Sequence, residues 1–274
     1  MQLFHIDQET CHQDGICAAV CPARIIAFKP GGYPSPVAGA EKACIRCGHC
    51  VAVCPSGSLD HLAMAAGQCP PVQPELHLAS RQAGHFLRSR RSIRVYKKKR
   101  LDKALLEQLI RMARYAPSGR NSQDARWLVL GRADDIHRTA GLVVDWMRWT
   151  QEKDPQTASL MHLDKALQSW EAGEDIIFRN APGLIIAHAE QANPRGPTTC
   201  TIALTYLELA AVSLGLGCCW AGYFMRAAGV YPPLMQALAL PEGHQCFGAM
   251  MVGFPKFTYH RLPLRDEPEI TWRM

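Results

Sequence analysis

The sequence predicts an α+β protein in two parts, a small cysteine-rich head and a larger layered domain of mixed helices and strands. Three observations carry that prediction. Seven of the twelve cysteines in this 274-residue chain fall between residues 11 and 54. The stretch Gln68–Glu75, QCPPVQPE, packs three prolines into eight residues and favours an extended, semi-rigid connection. Beyond it, apolar runs of strand length alternate with segments of helical periodicity. The predicted domains are residues 1–75 and 76–274.

A chain that is 48% hydrophobic and 20% charged can bury a core, which excludes wholesale disorder and collagen-like structure. Met1–Thr10 shows neither a basic leader nor a long apolar run, so no secretory signal is expected there. Thr201–Met225 is long enough to span a bilayer. Its one formal charge, Glu208, sits near the middle, where a carboxylate costs about 2.5–3.5 kcal/mol. Gly215 and Gly217 then interrupt the run, so a buried helix followed by a strand is the expectation, in a soluble cytoplasmic protein with no membrane partner.

The second cysteine run reads Cys44-x2-Cys47-x2-Cys50-x3-Cys54-Pro55. Three thiolates two residues apart wrap one face of a cubane iron–sulfur cluster, and a fourth from elsewhere closes the last iron. Zinc prefers two separated pairs, and a disulfide framework belongs with secretion. The first run, Cys11 to Pro22, aligns with the second. Cys11 matches Cys44, Cys17 matches Cys50, Cys21 matches Cys54, and Asp14 stands where Cys47 would be.

Over about residues 3–62 this repeat resembles the two-cluster bacterial ferredoxins. The resemblance implies one cluster on Cys21, Cys44, Cys47 and Cys50, and a second on Cys11, Cys17 and Cys54 with Asp14 as a candidate fourth ligand. Carboxylate is harder than thiolate. The corner iron is then oxygen-ligated and labile, or lost to leave a three-iron cluster, or held by His12 or water. The bland alternative makes Asp14 a loop residue.

In the larger part, Asp102 is the expected N-cap of a helix whose apolar stripe is Leu105, Leu109, Met112, Ala113 and Ala116, stopped by Pro117. Trp127–Leu130 reads as a short buried strand. A helical stretch follows Asp154-Pro155 and ends at Pro182. Gly183–Ala187 and Cys246–Val252 are further strand candidates, and Thr201–Leu214 is a helix apolar nearly all round, hence buried on all sides. No G-x-G-x-x-G follows a strand and no G-x4-G-K-[ST] exists, so neither a Rossmann nor a P-loop site is supported. The cluster Arg90, Arg91, Ser92 and Arg94 suits a phosphate, with a solvated basic face as the alternative; Lys97–Arg100 suits a solvated face or a dock for an acidic redox partner.

The series RRSIR (90–94), APSGRNSQ (116–123), GLGCCWAGYF (215–224) and VGFPKF (252–257) with Arg261 and Arg265 resembles the nitroreductase family of FMN enzymes, a scaffold shared with iodotyrosine dehalogenases. Asp124 departs from it where a proline usually follows the glutamine. The resemblance implies a nitroreductase-like α/β sandwich, a central sheet flanked by helices, in a domain-spanning homodimer with FMN at the subunit interface. By position it puts Arg90, Arg91 and Ser92 on the FMN phosphate and ribityl chain, and Arg94 at the flavin N1–O2 edge, where its charge favours the reduced ring. Ser118, Gly119, Asn121 and Gln123 approach the flavin from the other subunit. Trp220, Ala221 and Gly222 line it through backbone groups, Arg261 and Arg265 return to the phosphate, and Thr201–Leu214 packs across the dimer.

Clusters on the head and FMN on the body together suggest an oxidoreductase. It would pass electrons between iron–sulfur clusters, or NAD(P)H, or an external redox carrier, and a flat electron-poor acceptor such as a nitroaromatic or quinone. A non-catalytic electron carrier or redox sensor is the alternative. Two oxidised four-iron clusters with their thiolates lower the formal charge from +6 to about +3, and a flavin phosphate lowers it further, so nucleic acid is not an expected partner.

Overall fold

The structure is a computed structural model that describes residues 3–274. They form two compact units. One is the head through His77 together with Gly119–Ser122, and the other is Leu78–Ser118 with Gln123–Met274.

The head begins with β1 (Phe4–Ile6), α1 (Ile16–Ala19), β2 (Ile26–Ala27), β3 (Ser35–Pro36) and α2 (Ala40–Ala43), and ends with α3 (His49–Val53) and β4 (Leu59–His61). Two antiparallel ribbons close it, β1 with β4 and β2 with β3. Its core is small: Leu3, Phe4, Ile25, Ile26, Ala40, Val51 and Leu59 around the buried Cys17. A core this size gives little stability alone, which is where bound clusters contribute most. The internal repeat is visible in the backbone. Gly15 and Gly48 hold φ of 71° and 74° and start α1 and α3. At both places a Cβ would crowd a neighbour, lying 2.5 Å from the Phe28 ring at Gly15 and 2.7 Å from Met64 Sδ at Gly48.

The body contains α4 (Ser80–Ser89), α5 (Lys103–Ala113), β5 (Arg126–Leu130), α6 (Ala133–Lys153), α7 (Pro155–Leu160), α8 (Leu163–Glu171) and β6 (Gly183–Glu190), followed by α9 (Gly196–Ser213), β7 (Gly217–Trp220), α10 (Gly222–Val230), α11 (Pro232–Leu238) and β8 (His244–Gly253). The sheet order is β5-β6-β8-β7, antiparallel throughout. The two-residue period of β6 sends Leu184 and Ile186 to one face and Ile185 and Ala187 to the other. The first face packs on α6, α8 and α10 through Val143, Met147, Leu167 and Phe224. The second packs on α5 and α9 through Leu106, Leu109, Leu204 and Leu207. Helices on both faces of one sheet make the α/β sandwich that the sequence predicted.

Several elements differ from expectation. The buried stripe of α5 is Leu106, Leu109 and Ala113, whereas Met112 is exposed and Leu105 only half-buried. Asp102 occupies the N-cap position of α5 without a side-chain hydrogen bond. The strand around Trp127 is half-buried because it lies at the sheet edge. The helical stretch after Pro155 is two short helices broken at His162, which sits at φ 52°, and it ends at Glu171, well before Pro182. The 21-residue α6 was not anticipated. The segment around Thr201 is indeed helical but is not buried on all sides: Thr201, Thr205, Tyr206 and Val212 are exposed. Among the described residues no helix is long and apolar enough to cross a membrane.

One strap positions the body's site. Ile93 N–H donates to the Cys218 carbonyl of β7 at 2.9 Å. Lys97 N–H donates to the Phe254 carbonyl at 2.8 Å, and Lys256 N–H to the Val95 carbonyl at 3.0 Å. The side chain of Ile93 fills the space over Gly217, where a Cβ would collide with it and lie 3.0 Å from Pro255 Cγ. Gly217→Ala should therefore destabilise the protein by about 1–3 kcal/mol through overpacking. In a urea titration the midpoint should fall at unchanged slope; an unchanged midpoint would mean the strap is not packed this way.

Candidate functional site

In the head, one cavity is lined by Cys21, Cys44, Cys47 and Cys50, with Leu3, Phe4, Ile25 and Ile26 as its apolar wall. These are the four thiols that the ferredoxin resemblance grouped on one cluster. Four thiols on a largely apolar wall, with Arg46, His49 and His61 also lining it, fit iron–sulfur chemistry. All twelve cysteines are free thiols. Burial pushes the Cys50 thiol up to about 11, so a thiolate there at neutral pH calls for a cationic partner such as iron. His61 lines the same cavity, with Nε2 3.4 Å from Cys44 Sγ and Nδ1 accepting from Ala63 N–H at 2.9 Å. The Arg46 N–H also donates to Cys44 Sγ, at 3.4 Å.

Of the remaining predicted ligands, Cys17 is buried and Cys11 and Cys54 are half-buried. Burial raises the Cys17 thiol, and the negative charges of Asp14, Cys54 and Cys11 lie near enough to raise it further. Local backbone is shared between the repeats: Gln13 and Arg46, at equivalent positions, have φ of 55° and 52°. Asp14 thus stands in the same loop position as Cys47, ahead of the left-handed glycine. It is exposed, and one of its oxygens, Oδ1, accepts the Ile16 N–H at 3.1 Å.

In the body, Arg94, Trp220 and Gly222 line one cavity of about 280 Å³. The strap brings Arg94 there by pairing Ile93 with the β7 residue Cys218. Cys219, Tyr223, Met161 and Met251 share the wall, as do two arginines that sequence reasoning did not single out, Arg179 and Arg226. Among the described residues none of Arg94, Arg179 and Arg226 makes an ion pair. Three uncommitted guanidiniums around an aromatic and apolar wall suit a flat ligand carrying negative charge.

Arg179 is presented by a tight loop in which the Asp175 carboxylate accepts the N–H groups of Ile177, Phe178 and Asn180 at 2.8–3.0 Å. The helical periodicity around it gave no sign of such a loop. Among the described residues no histidine lines this cavity; its ionisable side chains, beside the arginines, are Cys219 and Tyr223.

The other predicted cofactor residues do not line this cavity within a single chain, although Ser92 and Ala221 adjoin it. Arg90 pairs with Glu208 on α9 at 2.8 Å, the carboxylate being only 8% exposed. Arg91 sits over the Tyr259 ring at 5.8 Å. The Ser92 carbonyl accepts from Arg94 at 3.4 Å. Ser118 and Gln123 line a separate cavity with Arg114, Arg126 and Thr199, where Gln123 N–H donates to Ser118 Oγ at 3.0 Å. Gly119 and Asn121 form a single turn that groups with the head, Asn121 Nδ2 donating to the Arg46 carbonyl at 2.9 Å. Ala221 is buried at the start of α10. Arg261 and Arg265 are exposed on the irregular segment after β8.

Comparison with known proteins agrees with both units. Residues 87–254 match the model of the nitroreductase family, and residues 4–86 match a 4Fe-4S dicluster domain. A relative from Archaeoglobus fulgidus, provisionally named an NADH dehydrogenase/NAD(P)H nitroreductase, is 25% identical over 61% of this chain and 82% of its own. A Bacteroides fragilis nitroreductase solved with bound FMN aligns with a TM-score of 0.58 at 20% identity, over 70% of this chain and 99% of that one. A Desulfitobacterium hafniense nitroreductase, also solved with FMN, aligns at 0.55 and 22% identity, over 69% and 96%. The fold and site thus define an oxidoreductase with a ferredoxin-like 4Fe-4S head. The chain belongs to the nitroreductase family.

The Arg90–Glu208 pair generates a stability prediction. Removing one partner of a largely buried pair leaves the other charge uncompensated. Arg90→Ala should lower unfolding free energy by about 3 kcal/mol, and the double variant Arg90→Met/Glu208→Met should regain much of it. Equal loss in single and double variants, measured by chemical denaturation, would contradict the pairing.

Proposed function

We propose that the protein is an FMN-dependent oxidoreductase that passes electrons between iron–sulfur clusters, or NAD(P)H, and a flat electron-poor organic acceptor such as a nitroaromatic or quinone. The observation that carries this reading is the Arg94–Trp220–Gly222 cavity, which occurs in a chain whose head gathers four thiols around a cavity of its own. When bound, the clusters supply single-electron transfer and the flavin couples it to two-electron chemistry. Arg94 holds a positive charge at the cavity wall, where it favours negative charge developing on a bound ring. Trp220, Met161 and Met251 offer an aromatic and apolar wall for a ring to lie against. Relatives of the same fold solved with FMN support that cofactor.

A homodimer completes the reading. The exposed side of α9 carries Tyr206 and Val212, 42% and 41% exposed, an apolar face suited to a second copy. Ser118 and Gln123, which lie away from Arg94 within one chain, would then serve the partner's site. In the head, Asp14 would ligate the second cluster through the oxygen not engaged by Ile16.

Two measurements test this reading. In a stopped-flow experiment, dithionite-reduced clusters are expected to bleach the flavin within one turnover time. Reduced clusters persisting beside oxidised FMN would overturn the electron path. Asp14→Ala should lower iron content and alter one of two EPR signals while leaving the other intact; unchanged iron and spectra would remove Asp14 from the ligand set.

A further inference from the structure

We infer that His61 sets the reduction potential of the cluster on Cys21, Cys44, Cys47 and Cys50 by donating its Nε2–H to the Cys44 sulfur. The inference rests on the reading of Cys44 as a cluster ligand. His61 ends β4 and is 6% exposed. Its backbone is pinned by the pairing with Phe4, and its ring stands between two fixed partners. Ala63 N–H donates to Nδ1 at 2.9 Å, so Nδ1 is the acceptor nitrogen and the ring proton resides on Nε2. That nitrogen is 3.4 Å from Cys44 Sγ, within the range for a hydrogen bond to sulfur. The turn after β4 thereby selects the tautomer that points a donor at the cluster. Among the described residues no other side chain donates to any of these four sulfurs.

The consequence follows from charge. Reduction adds an electron to a group already negative from its thiolates, and a hydrogen bond to a ligand sulfur stabilises the reduced form more than the oxidised one. His61 therefore raises the potential. Packing alone would be served equally by an apolar side chain at this buried position.

The test compares His61→Leu with His61→Gln, whose amide reaches the same place as Nε2. Iron and sulfide are counted first, alongside Cys44→Ala as the control for the ligand reading; that variant should lose this cluster. Potentials are then taken from EPR-monitored redox titration. His61→Leu should move one cluster to a more negative potential, by about a tenfold change in its reduction equilibrium, or about 59 mV for one electron. The other cluster should not move, and His61→Gln should stay near the unsubstituted value. In protein labelled with 15N-histidine, pulsed EPR should show nitrogen coupled to the reduced cluster, including a coupling that His61→Gln loses while any from His49, on the same cavity wall, stays. An unshifted potential in fully loaded His61→Leu, or absence of that coupling, overturns the role of His61. Full cluster loading of Cys44→Ala overturns the ligand reading instead.

Discussion

The body's site depends on one backbone hydrogen bond, from Ile93 N–H to the Cys218 carbonyl. It fastens the chain entering the body to β7, and so delivers Arg94 to the cavity that Trp220 and Gly222 also line. The close approach requires Gly217, because any Cβ there would occupy the space of Ile93. Behind it, β7 is held by β8, whose Met250, Met251 and Val252 are buried between two helical layers. A cavity wall that must hold charge without an ion-pair partner is placed on a rigid strand rather than a free loop, the arrangement that preorganised electrostatics requires.

The head answers a different constraint. Its apolar core is a handful of residues, yet seven cysteines lie on the loops and short helices around it. It does so by repeating one local conformation, with a left-handed residue at Gln13 and Arg46 and a left-handed glycine at Gly15 and Gly48. Because the loop geometry survives in the first repeat, Asp14 stands in the position of Cys47 on an intact loop rather than a collapsed one. Stability and metal loading would then be coupled, because a cluster bound in so small a core contributes to ordering the loops that hold it.

Much of this was legible in the sequence, for physical reasons that differ by residue. Each cysteine run is set by spacing within a dozen residues, so local pattern carries it, whereas the cavity shared by Cys21 with Cys44, Cys47 and Cys50 joins the two runs. The central strands announced themselves as apolar runs because both faces are covered. The helix Ala133–Lys153 had a readable stripe, Ile136, Ala140, Val143 and Met147, which its many charges and two tryptophans obscured. The partner of Arg90 was not legible, since Glu208 lies 118 residues away and only folding joins them. Arg179 and Arg226 come from an irregular loop and a helix face, with no shared spacing to connect them. His61 was one histidine among eleven, and only the turn that fixes its ring marks it out.

The central claim is that one chain carries both kinds of redox group. Quantifying iron, acid-labile sulfide and FMN in anaerobically purified protein tests it most directly. The account predicts one FMN per chain, and iron matched by sulfide in excess of a single four-iron cluster. Protein that retains no flavin, or metal without sulfide, would contradict it.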